Sequence, residues 1–223
     1  MDDFVCFGDS HSFCFDKILK THYFPASSAR GLNNNNSLTG TNKTIKAVIE
    51  GCKYKKHIFF FGKVDIDFIL NHMVNKHDEF DVADYINKTV TGYINFIKTL
   101  NTINVYICEL PVGHLSDADL LYVLNSDFNH NCVASHLKEK YEKLKVYIKV
   151  LPLDERNKHL MYFNKILKEL CIINNYTFLE INKYFTLDTG GKIIVPKKYL
   201  HEDIHNHHLA DSIAEIYMKG ISS

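Results

Sequence analysis

The sequence predicts an α/β fold, a three-layer α/β/α sandwich around a central, mostly parallel sheet. Short apolar runs without strict alternation recur along the chain, and longer amphipathic segments separate them. Strands that are covered on both faces show such continuous apolar runs, and repeated strand–helix units build a parallel sheet with helices on both faces. At 223 residues, the chain has the length of one such domain.

Four runs rich in β-branched and aromatic residues are predicted to form the sheet. They are 3–7 (DFVCF), 57–61 (HIFFF), 104–108 (NVYIC) and 176–181 (YTFLEI). Because helix-length segments lie between them, we expect the strands to run in the same direction.

Helices are predicted where apolar residues recur at steps of three and four, most clearly in 82–100 and 157–173. A shorter helix follows the second strand, and a last helix carries apolar residues from Leu209 to Tyr217. The polar stretch 27–40 is too long for an ordinary connection, so it is either functional or flexible.

The chain is predicted to form one domain over residues 1–223, with an insertion at about 112–150. This segment is longer than a typical connection in such a sheet. Within it we expect a helix at 133–144 and a strand at 146–150.

Composition narrows the function classes. The chain has 26 basic and 26 acidic residues, so no overall field attracts it to nucleic acid or to an anionic membrane. No apolar run approaches the roughly 20 residues of a membrane span, and the N-terminus is acidic where a signal peptide is basic. The six cysteines include no CxxC pair, which indicates buried free thiols. We therefore expect a cytoplasmic protein whose partner or substrate is a neutral molecule.

Polar residues follow two predicted strands and precede the last helix. Gly8-Asp9-Ser10-His11 comes after the first strand, and Gly62-Lys63-Val64-Asp65 comes after the second. Ligands of such sheets bind outside the carboxyl ends of the strands. The stretch 201–208 (HEDIHNHH) lies just before the last helix. We expect these three segments to meet at one edge of the sheet.

The residues after the first strand leave three readings open. Ser10 is a nucleophile, Asp9 and His11 are metal ligands, or the stretch is a polar turn without chemistry. A nucleophilic serine needs a base within about 2.6 to 3.2 Å, and that base needs an orienting group. An acid three residues before a histidine, as Glu202 is before His205, can orient the ring in this way.

Taken together, these motifs resemble those of the SGNH, or GDSL-like, hydrolases. The shared features are Gly8-Asp9-Ser10 after the first strand, a glycine in the next loop, Gly-x-x-Asp after the second core strand and acid-x-x-His before the last helix. The resemblance implies a flavodoxin-like sandwich and a serine-dependent acyl-ester hydrolase or acyltransferase that needs no cofactor and no metal. Its catalytic residues would be Ser10 as nucleophile and His205 as base, with Glu202 or Asp203 as the orienting acid.

The resemblance also implies residues that bind the substrate or its oxyanion. They are Gly31, Gly62, Asn33, Asp65 and His11. The third family block reads Gly-x-Asn-Asp, whereas here Val64 takes the place of the asparagine. Removing one oxyanion donor costs about 2.7 to 4 kcal/mol in a protease, so another donor such as Asn33 or Asn34 is expected to compensate.

These substrate-site residues also have ordinary structural roles. Asp9 can bond turn N–H groups, His11 can form a pocket wall, and Gly62 can serve a tight turn. Asp65 can cap the helix that follows it.

Two further functions stay open. Because Val64 removes a donor, the chain could be a non-catalytic SGNH-like module that binds a glycan or a partner. Asp9, His11 and Asp65 also resemble the ligands of calcineurin-like metallophosphoesterases, together with the cluster of His205, His207 and His208. That family has a Gly-Asn-His-Asp/Glu block, which this sequence lacks. The GDSH variant resembles SGNH-like proteins that accompany glycosyltransferases, which implies acylated glycans as substrates.

Overall fold

A parallel sheet of five strands forms the centre of the computed structural model, which describes residues 3–37, 39–51, 53–125, 149–187, 193–200 and 209–222. Its strands are β1 (Phe4–Gly8), β2 (Lys20–Tyr23), β3 (Lys56–Phe60), β4 (Asn104–Cys108) and β5 (Thr177–Leu179). They lie in the order β2-β1-β3-β4-β5, and every neighbouring pair is parallel. This is the flavodoxin-like order, so the predicted fold class is confirmed.

Helices cover the sheet. They are α1 (Ala29–Leu32), α2 (Thr41–Gly51), α3 (Leu70–Lys76), α4 (Val82–Lys98), α5 (Asp117–Asn125), α6 (Leu153–Ile173) and α7 (Ile213–Ser222). A 3₁₀ helix at Ser10–Phe15 and a π-helical turn at Asp65–Ile69 follow β1 and β3 directly. Two shorter 3₁₀ turns lie at Asn182–Tyr184 and Lys197–Tyr199, and β6 (Thr186–Leu187) pairs antiparallel with β7 (Ile193–Ile194).

The sequence analysis did not predict one strand of the sheet, and it predicted too long a range for another. β2 reads Lys-Thr-His-Tyr and contains no apolar run that could have predicted it. It lies at the edge of the sheet, where its pairing with β1 holds it in place. β5 ends at Leu179, before the predicted end at 181. The Glu109 carboxylate accepts the N–H groups of Ile181 and Asn182 at 2.6 and 2.8 Å, so the chain turns away from the sheet there.

The two long predicted helices are confirmed as α4 and α6, although α6 begins four residues earlier than expected, directly after Pro152. The last helix begins at Ile213, and Leu209 precedes it in an antiparallel bridge with Leu200. Stretch 27–40 contains the short helix α1. The predicted helix at 133–144 lies outside the described residues, and residues 149 and 150 of the predicted strand are irregular.

The core supports the expected role of the cysteines. Cys6, Cys14, Cys108 and Cys171 are buried and free, whereas Cys52 and Cys132 lie outside the described residues. No helix in the described ranges combines the length and the apolar character that crossing a bilayer requires.

The strand order fixes where a ligand can bind. From β1 the chain crosses to β2 on one side, and β3 then pairs on the other side of β1. In such sheets, ligands occupy the crevice outside the carboxyl ends of the strands at this switch point. The turns after Gly8 and after Phe60 flank that crevice.

Candidate functional site

In the turn after β1, Gly8 lies very close to Ser12 and to the backbone of Phe60. A Cβ on Gly8 would lie 2.3 Å from the Cβ of Ser12 and 2.7 Å from the carbonyl oxygen of Phe60, so only glycine fits. The N–H of Asp9 donates to the same Phe60 oxygen at 3.1 Å. The residues after β1 are thereby attached to the end of β3.

Asp9 and His11 are bonded to each other. Oδ1 of the buried Asp9 accepts the backbone N–H of His11 at 2.9 Å, which caps the 3₁₀ helix, and also contacts His11 Nδ1 at 2.9 Å. Burial lowers the pKa of His11 to about 3, and the charges of Lys63 and His114 act in the same direction against Asp67. The ring is therefore neutral at physiological pH, with Nδ1–H donating to Asp9.

Ser10 differs from its neighbours in exposure. Gly8, Asp9, His11 and Ser12 are buried, whereas Ser10 is partly exposed. The hydroxyl of Ser12, for comparison, donates to the Asp9 carbonyl at 2.7 Å. The turn therefore leaves Ser10 partly open to solvent and uses the Ser12 hydroxyl to hold itself together.

A narrow cleft lies beside this turn at the carboxyl edge of the sheet. Polar groups from three strand ends line it, namely His11, Lys63 and His114. Its apolar wall includes Phe60 and also Leu209, which directly follows the segment with the predicted base. The cleft thus joins two of the three segments that the sequence analysis expected to meet, and the third, 201–208, lies outside the described residues.

Lys63 and Asp67 form a buried ion pair in the turn after β3. Lys63 Nζ lies 3.0 Å from Asp67 Oδ2 and 3.3 Å from Oδ1, and both side chains are buried. Burial acts to raise the pKa of Asp67, but the charge of Lys63 and other nearby positive groups outweighs it, so the pKa is lowered. The sequence analysis assigned neither residue a role, although opposite charges four positions apart beside a strand end were a readable signal.

Asp65 does not cap the helix that follows it, and that prediction is wrong. It is the first residue of the π-helical turn, and its buried carboxylate accepts the N–H groups of Ala29 and Arg30 at 2.6 and 3.2 Å. Burial raises the pKa of Asp65 to about 7, and Asp9 adds to the effect, while the two N–H bonds oppose it. Asp65 therefore fixes the start of α1, 36 positions earlier in the chain.

The predicted oxyanion donors near α1 make several contacts within the protein. The N–H of Gly31 donates to Ser28 Oγ at 3.0 Å. The side chain of Asn33 packs beside Gly92 of α4, with its Cβ 3.3 Å from where a Cβ of Gly92 would lie. The side-chain oxygen of Asn34 accepts the N–H of Asn36 at 2.9 Å. These contacts do not test whether the groups can bind an oxyanion, so that role stays a prediction.

Gly62 meets a steric demand after β3. Its φ is +124°, and a Cβ would lie 2.6 Å from Cζ of Phe163. Residues with a side chain rarely adopt this conformation. This geometry supports the expected role of Gly62 in the turn, and its predicted contact with substrate stays a prediction.

The rest of the predicted site lies outside the described residues. Glu202, Asp203 and His205 fall in the segment 201–208, so their roles stay predictions. Among the residues that the structure describes, no group of three or more histidine, cysteine or acidic side chains is arranged to hold a metal ion.

No protein-family model and no curated protein matches the chain. Among solved structures, it is similar to a candidate acylhydrolase from Bacteroides fragilis, with a TM-score of 0.51, 10% identity and coverage of 98% of this chain and 84% of that one. A GDSL-like lipase from Bacteroides thetaiotaomicron aligns with a TM-score of 0.49 at 10% identity, covering 98% and 85% of the two chains. A lipase/acylhydrolase from Enterococcus faecalis aligns with a TM-score of 0.48 at 12% identity, covering 98% and 97%. With the strand order, the first likeness shows that the chain has the α/β/α fold of SGNH hydrolases.

Proposed function

We propose that this chain is a serine-dependent acyl-ester hydrolase of the SGNH type, with Ser10 as the nucleophile. One observation carries the proposal. Ser10 begins a helical turn at the switch point of the sheet, and it is the partly exposed residue between buried neighbours on both sides. A hydroxyl in this position can approach a carbonyl carbon in the crevice while its backbone stays fixed.

The chemistry follows from that position. Ser10 Oγ attacks the ester carbonyl, and a base, predicted to be His205, takes the hydroxyl proton and then gives it to the departing alcohol. The backbone N–H of Ser10 makes no hydrogen bond within the described part of the chain, so it can donate to the oxyanion. Water then attacks the acyl-enzyme by the same steps in reverse and releases a carboxylic acid. An alcohol in place of that water gives acyl transfer, and we propose acylated glycans as the substrate class.

The test is hydrolysis of a short-chain aryl ester such as 4-nitrophenyl acetate. Ser10→Ala is expected to lower kcat/KM by about 10⁴-fold or more, with an unchanged melting temperature because the side chain is partly exposed. Ser37→Ala is the matched control, since Ser37 is also partly exposed and its hydroxyl contacts the hydroxyl of Thr39, two residues later. A Ser10→Ala variant with the rate of the parent would contradict the assignment.

A non-catalytic binding module is the second candidate, and the structure offers a specific reason for it. The side chain of Val64 has no hydrogen-bond donor, and the N–H of Gly31 donates to Ser28 Oγ. Of the Gly31 and Ser10 N–H groups, only that of Ser10 is therefore without a hydrogen-bond partner among the described residues. The loss of one donor slows hydrolysis by about 10²- to 10³-fold. Absence of turnover for aryl and sugar acetates, with ligand binding equal in the parent and in Ser10→Ala, would favour this candidate.

Chelation distinguishes the proposed serine mechanism from that of a metal-dependent phosphoesterase. A serine mechanism keeps its activity after exhaustive treatment with EDTA. The described residues do not favour the alternative, because Asp65 is engaged with α1 and Asp9 with His11. Loss of activity that Mn²⁺ or Zn²⁺ restores would overturn the serine mechanism.

A further inference from the structure

The cleft beside the turn after β1 is small and mostly apolar, and a lysine lines it. Its volume is about 10 Å³, which is room for a single oxygen-sized atom. Phe60 and Leu209 are among its apolar walls, whereas Lys63 carries an ammonium group. Hydrogen bonds to a charged oxygen are stronger where apolar walls exclude water. The cleft therefore suits one negatively charged oxygen atom.

Lys63 follows the strand that lies next to the strand of Ser10. Gly8 ends β1 and pairs with Phe60, the last residue of β3. Ser10 and Lys63 follow these two strand ends by two and three positions. His11, directly after Ser10, lines the same cleft as Lys63. Burial lowers the pKa of His11 to about 3, and the nearby charge of Lys63 acts in the same direction. The ammonium group and the candidate nucleophile therefore lie at adjacent strand ends.

The ammonium group of Lys63 keeps a donor beyond its ion pair. Nζ lies 3.0 and 3.3 Å from the two carboxylate oxygens of Asp67, and an ammonium has three N–H donors. If each of these oxygens accepts one, a third N–H remains. The buried Asp67 also fixes the position of Nζ, so this donor does not have to be ordered during the reaction.

We propose that Lys63 is a further catalytic residue, whose ammonium group donates a hydrogen bond to the oxyanion that forms when Ser10 attacks the ester. This inference rests on the proposed function. In that step the bond from Ser10 Oγ to the carbonyl carbon forms, the π electrons move to the carbonyl oxygen, and the hydroxyl proton passes to the base. The oxygen keeps its negative charge until the carbonyl re-forms and the alcohol leaves. The Ser10 N–H and the third N–H of Lys63 bind this oxygen together, since the side chain of Val64 has no donor.

The two histidines that line the cleft fit this role less well. The neutral ring of His11 uses its Nδ1–H for the Asp9 carboxylate, so its Nε2 is an acceptor and repels an oxyanion. His114 follows β4, which β3 separates from β1. Lys63 is therefore the lining residue that combines donors with a place at the strand next to β1.

Two matched esters test the inference: 4-nitrophenyl acetate and 4-nitrophenyl thionoacetate, in which sulfur replaces the carbonyl oxygen. Sulfur is a weak hydrogen-bond acceptor, so a residue that donates to the oxyanion accelerates the acetate far more than the thionoacetate. Lys63→Met is expected to lower kcat/KM for the acetate by about 10²- to 10³-fold, mainly through kcat. The ratio of kcat/KM for the acetate to that for the thionoacetate should fall by about tenfold or more. This ratio does not depend on the fraction of the chain that is folded.

The double variant Lys63→Met, Asp67→Leu is measured in parallel, because Lys63→Met alone leaves a buried carboxylate without its cation. Two apolar residues replace the pair in the double variant, and its ratio should fall as far as that of Lys63→Met. Lys88→Met, Asp84→Leu is the matched control, since it removes an exposed pair with the same spacing on α4, and its ratio should equal that of the parent. Unchanged ratios in both Lys63 variants would overturn the inference, because a purely structural role lowers both rates alike.

Ser10→Ala, measured on the same two esters, separates this inference from the proposed function. An inactive Ser10→Ala variant together with a lowered ratio in both Lys63 variants supports the two proposals. If Ser10→Ala is inactive and the Lys63 variants keep the ratio of the parent, the serine hydrolase stands and the role of Lys63 fails. If Ser10→Ala keeps the rate of the parent, the serine mechanism fails, and the oxyanion role of Lys63 fails with it.

Discussion

The ends of β1 and β3 face the same crevice but use their polar residues differently. After β1, the bonds are local: Asp9 holds His11 two positions away, and Ser10 remains partly exposed. After β3, the polar side chains are buried and bonded within the protein. Asp65 reaches back to α1, and Lys63 pairs with Asp67. One strand end carries the proposed nucleophile, and the other holds its polar groups in bonds within the protein.

If the proposed SGNH-type site is correct, with Val64 at the place of an asparagine, this difference predicts that the β3 turn supports the site without a side-chain amide. The β3 turn no longer offers a side-chain amide, yet Lys63 still lines the cleft, and Asp65 still fixes α1. The two turns are joined by the bond from the Asp9 N–H to the Phe60 carbonyl. Variants at the β1 end should therefore affect catalysis, whereas variants at the β3 end should also affect stability.

The largest expected effect concerns the base that serves the β1 end. Burial lowers the pKa of His11 to about 3, so its ring is a weak base, and the base that takes the Ser10 proton is predicted to be His205. His205→Gln should lower kcat by about 10⁴-fold or more. Activity of the parent should rise with pH through an ionisation near the ordinary histidine pKa of about 6.5, or above it if Glu202 or Asp203 stabilises the imidazolium.

His207→Gln and His208→Gln are the matched controls, measured on the same ester. We expect them to change mainly KM, because His208 directly precedes Leu209 and the approach to α7. A His205→Gln variant with nearly normal turnover beside an inactive His208→Gln variant would show that the last family block was aligned in the wrong register.

At the β3 end, the largest expected effect is on stability. Lys63→Met leaves the buried Asp67 carboxylate without its cation, which costs about 3 to 5 kcal/mol of unfolding free energy. The double variant Lys63→Met, Asp67→Leu should regain most of that loss, since two apolar residues replace the pair. Urea unfolding followed by circular dichroism measures both.

The exposed pair of Lys88 and Asp84 on α4 is the control for that measurement. It has the same spacing of four residues and a distance of 2.7 Å, but both side chains are open to solvent. Lys88→Met should cost no more than about 0.5 kcal/mol. Equal costs at Lys63 and Lys88 would mean that the β3 pair does not act as a buried one.

The same contrast explains what the sequence could predict. Four strands, the two long helices and the exposed turn at Ser10 follow from local patterns, because apolar periodicity and short-range bonds set them. The partners of Asp65 and Gly62 lie 36 and about 100 positions away, at Ala29 and Phe163. No spacing in the sequence encodes such pairings. The edge strand β2 was missed for a related reason, since its pairing with β1 holds it and apolar content does not.

A smaller effect is expected from Asp65 as the pH changes. Its folded-state pKa of about 7 lies above the ordinary value of 3.8, so between these values the folded chain holds a proton that the unfolded chain has lost. The free energy of unfolding should therefore fall as pH rises from about 4 to 7, by on the order of 4 kcal/mol, and stay level above that.

Asp65→Asn removes this ionisation but can still accept an N–H bond from Ala29. The stability of the parent relative to Asp65→Asn should therefore fall across that window, and urea titrations at several pH values measure it. Asp65→Ala loses the ionisation as well, and it should be less stable than Asp65→Asn by about 1 to 3 kcal/mol at every pH, because the N–H groups of α1 lose their acceptor. A parent and an Asn variant with parallel pH curves would contradict the raised pKa.

The smallest expected effect lies in the turn that connects β2 to α1. Ala26 has a φ of +59°, and the N–H of Ser27 donates to the Phe24 carbonyl at 3.1 Å, the pattern of a type II turn with Pro25 before the left-handed position. Alanine in that conformation costs about 1 to 2 kcal/mol, and glycine adds about 0.4 to 1 kcal/mol of unfolded-chain entropy. Ala26→Gly should therefore stabilise the chain by about 0.5 kcal/mol.

Asn175, with a φ of +56°, is the control, because asparagine already tolerates this region and Asn175→Gly should give no gain. A loss of stability in Ala26→Gly would mean that contacts of the Ala26 methyl group outweigh the strain of the turn.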